Sequence, residues 1–338
     1  MESPRQPPEL IGHSRAFLDA LAHASAAAGL DRPLLICGER GSGKELIAAR
    51  IHFLSARWEG PFIKLNCAAL AEELLDSELF GHEAGAFTGA TKRHAGRFER
   101  AEGGSLFLDE IASASLRIQE KLLRVIEYGE YERVGGSQTR IANVRIIAAA
   151  NADLPTMARV GTFRADLLDR LAFDVISTPP LRARRDDIPV LAAHFASGLA
   201  GEIGAPFDGF SAGAMAQFLN HAWPGNVREL KNAAERSLYR WIAAGNAGPI
   251  GEVLIDPFPS AHRPPSPSPA PVLETKTAEF FDLRRELDAV EKRWVAEALV
   301  ACGWRQKEAA AQLQLTYDQI RGLVRKHALR PPGKSAKK

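Results

Sequence analysis

Leu34-Leu-Ile-Cys37-Gly38-Glu39-Arg40-Gly41-Ser42-Gly43-Lys44-Glu45 runs a short apolar segment straight into a glycine turn and then into a helical pattern. How this stretch is read decides the fold. Glycines at 38, 41 and 43 let successive backbone N–H groups close around an anion. The start of the following helix favours negative charge, and Lys44 has the reach to meet terminal phosphates. A glycine-rich turn with an incidental lysine is the plainer alternative. One residue departs from the strict phosphate-binding pattern: Glu45 stands where a Ser or Thr hydroxyl would ligate magnesium.

A second apolar run, Ser105-Leu-Phe-Leu108, ends in Asp109-Glu110. Paired acids at a strand end lie on the edge where α/β sheets bind ligands. Asp109 is suited to hold Mg2+ directly or through water, and Glu110 to polarise the water that attacks a γ-phosphate. A third run, Val144-Arg-Ile-Ile-Ala-Ala149, precedes Asn151. Beyond it, Phe163-Arg164-Ala-Asp-Leu-Leu-Asp-Arg170 carries two arginines that read either as a solvated helix face or as positive charge for a transferred phosphoryl group. Arg228, in Trp223-Pro-Gly-Asn-Val-Arg-Glu-Leu230, is placed to fold over the nucleotide.

Strand-like runs alternating with helical patterns predict an α/β domain with a largely parallel sheet over residues 1–178. From Pro179 the pattern turns helical, near Ile188–Leu199, Ser211–His221 and Gly225–Ala243, and predicts a small helical subdomain over 179–255. Seven prolines between Pro257 and Pro271 predict an extended tether over 256–278. Residues 279–338 then read as a separate helical domain. Its first helix carries one apolar stripe, Leu283, Leu287, Val290, Trp294 and Ala298.

The 338 residues carry a net charge of only +2, yet Gly303–Lys338 holds nine Lys/Arg against two Asp/Glu. A basic tail on a mildly acidic body predicts a polyanion-binding module at that end. Cys37, Cys67 and Cys302 fit no disulfide or zinc spacing, and the N-terminus shows no export signal, so the expectation is a cytoplasmic protein. No apolar run reaches the roughly 20 residues of a membrane span, so no membrane insertion is expected.

Gln306-Lys-Glu-Ala-Ala-Ala-Gln-Leu313 and Thr316-Tyr-Asp-Gln-Ile-Arg-Gly-Leu-Val-Arg-Lys-His327 read as helix, turn, helix. Ala309, Ala310, Leu313, Ile320, Leu323 and Val324 supply a shared core. Thr316 with Gln319 forms a capping box. Thr316, Tyr317, Asp318 and Arg321 would read base edges of double-stranded DNA, with Arg325 and Lys326 nearer the phosphates. A basic helical pair for protein contacts is the alternative. Gln314 in the turn is strained if the backbone there is left-handed.

Gly81-His-Glu83-Ala-Gly85-Ala-Phe87-Thr88-Gly89-Ala90 reads from composition as a hairpin, buried or exposed. An exposed apolar tip on a glycine stem is one way for a nucleotide-driven machine to grip a partner. Residues 85–90 match the GAFTGA signature. With the P-loop, the paired acids, the arginine pair and WPGNVREL, they give the chain a resemblance to the AAA+ activators of sigma-54 RNA polymerase. The likeness runs from Leu10-Ile-Gly12 to His327 and is nearest to the activators of phage-shock operons.

The resemblance implies an ATP- and Mg2+-dependent ATPase with a helical lid and a Fis-type DNA-binding domain. The assembly it implies is a ring, a hexamer, built from DNA-bound dimers. It implies that Glu at position 45 is compatible with hydrolysis and that Asn66 restrains the catalytic glutamate. Asn151 becomes a sensor, beside Ala150 where threonine is usual, and Arg164 and Arg170 reach a neighbouring subunit's ATP. Phe87 and Thr88 become contacts to the polymerase, with Gly85 and Gly89 shaping the loop and Glu83 supporting it. Only about ten residues precede the matching region, so control is expected from a trans-acting repressor. Trp58, on Ser55-Ala-Arg-Trp-Glu-Gly60, is then either its docking anchor or a half-buried packing residue. Two other readings compete: a replication-initiator-like AAA+ DNA-binding ATPase, and a DNA-binding repressor with a decayed ATPase domain.

Overall fold

The computed structural model describes residues 7, 9–257 and 283–331. Most of the predicted tether lies outside them. The chain divides into two compact units, Met1–His262 and Arg263–Lys338.

In chain order the first unit runs α1 (Arg15–Ala28), β1 (Leu34–Cys37), α2 (Lys44–Phe53), β2 (Phe62–Asn66), α3 (Glu72–Phe80), α4 (Arg97–Arg100), β3 (Ser105–Asp109) and α5 (Leu116–Tyr128). A short hairpin, β4 (Glu130–Tyr131) with β5 (Arg140–Ile141), leads to β6 (Arg145–Ala150), α6 (Leu154–Arg159), α7 (Ala165–Leu171) and β7 (Val175–Ser177). Five strands form one parallel sheet in the order β2-β3-β6-β1-β7. β3 and β6 are buried along almost their whole length, because helices cover both faces, and that is why they read as continuous apolar runs. On one face Leu106 and Leu108 pack with Phe80, Phe98 and Ile118. On the other, Phe107, Ile147 and Ala149 pack with the apolar sides of α1 and α2.

The sequence marks the central strands β1, β3 and β6. It does not mark β2 and β7, which lie at the sheet's edges. β2 interleaves Lys64 and Asn66 with its apolar residues, and β7 has three residues, two of them exposed. The hairpin β4–β5, two residues a side, is too short to show a period.

Parallel register brings the strand ends level. Asn66 sits opposite Asp109, and Cys37 opposite both Ala150 and Ser177. Every loop leaving these ends therefore opens on one edge of the sheet, where Asn66, Asp109, Glu110 and Asn151 stand.

After β7 the chain is helical: α8 (Asp187–Ile203), α9 (Ala212–Asn220) and α10 (Asn226–Ala243). They enclose Trp223, Phe218, Leu230 and Leu191. Trp223 is wholly buried and its indole N–H donates to the Phe218 carbonyl at 2.8 Å.

The second unit contains α11 (Leu283–Ala301), α12 (Gln306–Gln312) and α13 (Tyr317–Lys326). Val295, Ala298, Leu299, Ala309, Ala310 and Ile320 form its core. The capping box closes as expected: Gln319 N–H donates to Thr316 Oγ1, and Thr316 N–H to Gln319 Oε1. Gln314 takes φ 53°, the left-handed region the turn demands.

Candidate functional site

Residues 38–43 bend the chain through a loop with positive φ at Gly38, Gly41 and Gly43. Gly38 N–H donates to the Ala150 carbonyl at 3.1 Å, pinning the loop to the end of β6 beside exposed Asn151. A Cβ on Gly38 would fall 1.7 Å from Thr178 Oγ1, so only glycine fits. Thr178, just past β7, also bonds Ser42 Oγ at 2.8 Å and donates to the Cys37 carbonyl at 3.1 Å.

Lys44, the first residue of α2, donates from Nζ to the carbonyls of Gly38 at 2.8 Å and Glu39 at 3.0 Å. Burial lowers its ammonium pKa, while the carboxylates of Asp109 and Glu110 hold it up and Arg228 pushes it down. Asp109, at the end of β3, has its carboxyl pKa raised, first by burial and partly by Glu110 and Glu45, against the pull of Lys44. A carboxylate pushed up this way gains from a cation beside it, so the donor set fits Mg2+. Glu110 sits at φ 52°, a left-handed conformation that costs a non-glycine residue roughly 1 kcal/mol. Its N–H donates to Asp109 Oδ1 at 2.9 Å.

Glu45, in place of the usual hydroxyl, accepts from Lys64 Nζ at 2.7 Å and is turned toward β2. Asn66 lies level with Asp109, but its Oδ1 accepts the Ala68 N–H at 2.8 Å. Among the described residues no hydrogen bond joins it to Glu110, so the expected restraint is not made in this conformation. Arg164 and Arg170 stand at the two ends of α7. Arg164 pairs with Asp166 at 2.7 Å and Arg170 with Glu127 at 2.6 Å, and both guanidinium groups reach solvent.

The helical segment closes on the loop through contacts that no motif announces. Val227 N–H donates to the Gly41 carbonyl at 3.0 Å, and a Cβ on Gly41 would lie 2.3 Å from the Gly225 carbonyl. Asn226, fully buried at φ 53°, donates to Glu39 Oε2 at 3.0 Å and the Arg40 carbonyl at 3.1 Å, and accepts from Leu181 N–H at 2.8 Å. Arg182 pairs with Glu39 at 2.8 Å. The Arg182 and Asn226 bonds hold the Glu39 carboxyl down to about 2. Arg228, two residues after Asn226, is exposed beside this seam. In the sequence Asn226 is marked only by its place in WPGNVREL, where it is the residue two before Arg228.

Away from the nucleotide edge, residues 81–90 form a bent loop. Gly85 N–H donates to the Ala90 carbonyl at 2.7 Å, with Gly85 and Gly89 at positive φ. Phe87 is 45% exposed at its tip and Thr88 is exposed. The stem is clamped to the segment after β4. Arg133, almost wholly buried, donates to Glu83 at 2.6 Å and to Glu99 at 2.6 and 2.8 Å. The carboxyls of Glu83 and Glu99 are lowered: Glu83 chiefly by its bond to Arg133, and Glu99 by the same guanidinium against the opposing effect of burial. Gly135 lies so close that a Cβ would meet Ala86 at 2.7 Å.

Trp58 is 53% exposed on a loop held by Arg57, which bonds Asp31 at 2.7 and 2.9 Å and Asn143 at 2.8 and 3.0 Å. In the second unit Tyr317, Asp318, Arg321 and Arg325 are exposed along α13. Lys326 is engaged at home, with Asp288 at 2.7 Å and Glu291 at 2.9 Å. Leu287, Val290 and Trp294 are exposed along α11, whereas Ala298 is buried; Leu283's side chain lies outside the described residues.

Residues 10–177 match the Sigma-54 interaction domain family, and residues 182–244 the AAA+ ATPase lid domain. The Psp operon transcriptional activator of Escherichia coli (strain K12) is 56% identical over 323 residues, covering 95% of this chain and 98% of that protein. The Nif-specific regulatory protein of Azotobacter vinelandii is 43% identical over 311 residues, 92% of this chain but 57% of its own length. Among solved structures, NtrX from Brucella abortus in complex with ADP superposes with TM-score 0.68 at 30% identity, over 95% of this chain and 69% of that one. The same protein with ATP gives 0.67.

Proposed function

The chain belongs to the sigma-54-dependent AAA+ ATPases that activate transcription; from that premise we propose that its hydrolysis cycle drives residues 85–90 against sigma-54 RNA polymerase and converts a closed promoter complex to an open one. The observation that carries this reading is a pairing of two sites on one body. At the sheet edge the glycine loop with Lys44 faces the end of β3 at Asp109 and Glu110, and the helical segment bearing Arg228 is bonded to that loop from Val227 N–H to the Gly41 carbonyl at 3.0 Å. On the same α/β body, a loop with an exposed Phe87 is clamped at its stem by Arg133.

In the catalytic step, backbone N–H groups of residues 38–43 and Lys44 Nζ bind the phosphates. Lys44 leaves the Gly38 and Glu39 carbonyls to do so. Asp109 would hold Mg2+, which would supply charge neutralisation at the phosphates. Glu110 takes the proton of the attacking water as the γ-phosphorus–oxygen bond breaks. Asn151 senses the γ-phosphate at the strand end, and Arg228 covers the nucleotide from the helical side. Arg164 and Arg170 leave Asp166 and Glu127 to serve a neighbouring subunit's ATP, so the working form is a ring, a hexamer by family likeness.

Phe87 and Thr88 are the contacts to the polymerase, with Gly85 and Gly89 allowing the tip to move and Glu83 bracing it. The second unit binds upstream double-stranded DNA through Thr316, Tyr317, Asp318 and Arg321. Arg325 meets phosphates, and Lys326 does so only by leaving Asp288 and Glu291. Exposed Leu287, Val290 and Trp294 form the seam of a DNA-bound dimer. The 56% identity to the Psp operon activator supports phage-shock control under a separate repressor, with Trp58 as its anchor on the loop that Arg57 stiffens.

Promoter opening by sigma-54 holoenzyme, footprinted with ATP or a non-hydrolysable analogue, tests the reading. Opening should require hydrolysable ATP and vanish in Thr88→Ala. ATP turnover without opening by the unaltered protein would overturn it.

A further inference from the structure

His82 lies under the tip of the loop and makes four contacts at once. Its Nδ1 is 2.7 Å from Ser77 Oγ, at the end of α3, and its Nε2 is 3.1 Å from the Lys92 carbonyl. A carbonyl only accepts, so Nε2 carries a hydrogen and donates to Lys92, while Nδ1 bonds the Ser77 hydroxyl on the other side of the ring. The imidazole is thereby fixed in orientation. One side of the ring stacks on His94, with centroids 5.5 Å apart and planes at 24°. Phe87 meets it edge-on, with centroids 4.9 Å apart and planes at 66°.

The backbone around it makes a firm platform. His82 and His94 exchange backbone hydrogen bonds at 3.2 and 3.0 Å, and a Cβ on Gly81 would strike the His94 carbonyl at 2.6 Å. Phe87 itself is nearly half exposed and enters none of the hydrophobic clusters. The imidazole of His82 is its one ring partner among the described residues. An aromatic pair of this geometry contributes modestly, enough to bias a loop between two positions without locking it.

We propose that His82 is a positioning residue, a latch that holds Phe87 down in the resting protein and that Phe87 must leave in order to reach sigma-54. This rests on the reading of Phe87 as the polymerase contact. The Arg133–Glu83 clamp fixes the stem, and the His82–Phe87 pair sets how readily the tip rises.

The test measures binding of full-length protein to fluorescently labelled sigma-54 under two conditions: with ADP, and with ADP plus aluminium fluoride as a mimic of the phosphoryl-transfer transition state. ATP turnover is measured alongside. Unaltered protein should bind tightly only with the mimic. His82→Ala should bind more tightly with ADP and narrow the gap between the two conditions by about two- to tenfold, the range that loss of one aromatic pair allows. Its turnover should hold. His82→Phe, which keeps an aromatic ring for Phe87 to meet, should restore most of the gap. Ser77→Ala, which frees the imidazole without removing it, should narrow the gap in the same direction and serves if His82→Ala does not fold. An unchanged gap in both His82→Ala and Ser77→Ala, with normal turnover, overturns the latch. If Phe87→Ala binds sigma-54 as the unaltered protein does, the contact reading itself fails and the latch falls with it. If Phe87→Ala abolishes binding, that reading stands and the gap alone judges His82.

Discussion

Glu110 holds a left-handed backbone at the end of a buried strand, and Lys44 lies beside it with its ammonium turned onto carbonyls of its own loop. Substitutions at the two should separate binding from chemistry. Glu110→Gln should keep nucleotide affinity within about threefold while turnover falls about 10²-fold or more; Lys44→Ala should lose both. Fluorescent-nucleotide titration and phosphate release read the two effects. A different residue governs stability against acid. His52 is buried, stacked on Phe62 and bonded to Ser105 Oγ at 3.0 Å, and burial holds its imidazole down to about 4, with the backbone at Gly60 and Trp58 resisting. Between pH 6.5 and 4 the unfolded chain binds this proton and the folded one does not. Stability is therefore full above pH 6.5 and falls as the pH drops toward 4, by at most about 3 kcal/mol. Urea midpoints across this window should show that slope. His52→Phe should flatten it while lowering stability at neutral pH, because Ser105 loses its partner.

At the level of elements, the turn between α12 and α13 carries a visible cost. Gln314 takes φ 53° because the chain must reverse between α12 and the Thr316 cap. Glycine adopts that region freely, whereas another residue pays about 1 kcal/mol. Gln314→Gly should therefore slow amide hydrogen exchange in α12 and α13 about fivefold, and no change would show the strain is absorbed elsewhere. Asn226 and Trp223 take positive φ as well, but there side-chain bonds hold the strain: Asn226 to Glu39 and Arg40 across the fold, and Trp223 to the nearby Phe218 carbonyl. Arg145, also buried, donates to the carbonyls of Ala27 and Ala28 and closes the C-terminus of α1, favourable both for the free carbonyls and for the helix dipole. None of these ties follows a local period. The elements themselves were legible wherever both faces or one whole stripe are buried, as in β3, β6, α10 and α13. They were not where a strand lies at an edge or is two residues long.

For the whole molecule, Arg164 and Arg170, partly solvent-accessible at the two ends of α7, lead to a prediction about assembly. Turnover should rise more than in proportion to protein concentration. Arg170→Ala should lose turnover with little change in nucleotide affinity, and steady turnover per subunit across concentrations would argue against shared sites. Sequence by itself determined the chemistry that depends on neighbours along the chain: the glycine loop with Lys44, the acid pair after an apolar strand, the 85–90 tip and the capped helix at 316. In these the needed atoms lie within a few residues of one another, and backbone geometry brings them together in any fold that forms the strand and the helix. Tertiary structure alone decided what meets across distance. Asn226 bonds Glu39 from 187 residues away, Arg133 bonds Glu83 from 50, and Asn66 spends its side chain on Ala68 although it lies level with Asp109. Such pairings depend on strand order and on where the helical segment packs, and these are set by burial of nonpolar surface over the whole chain, which favours no particular polar partner in advance.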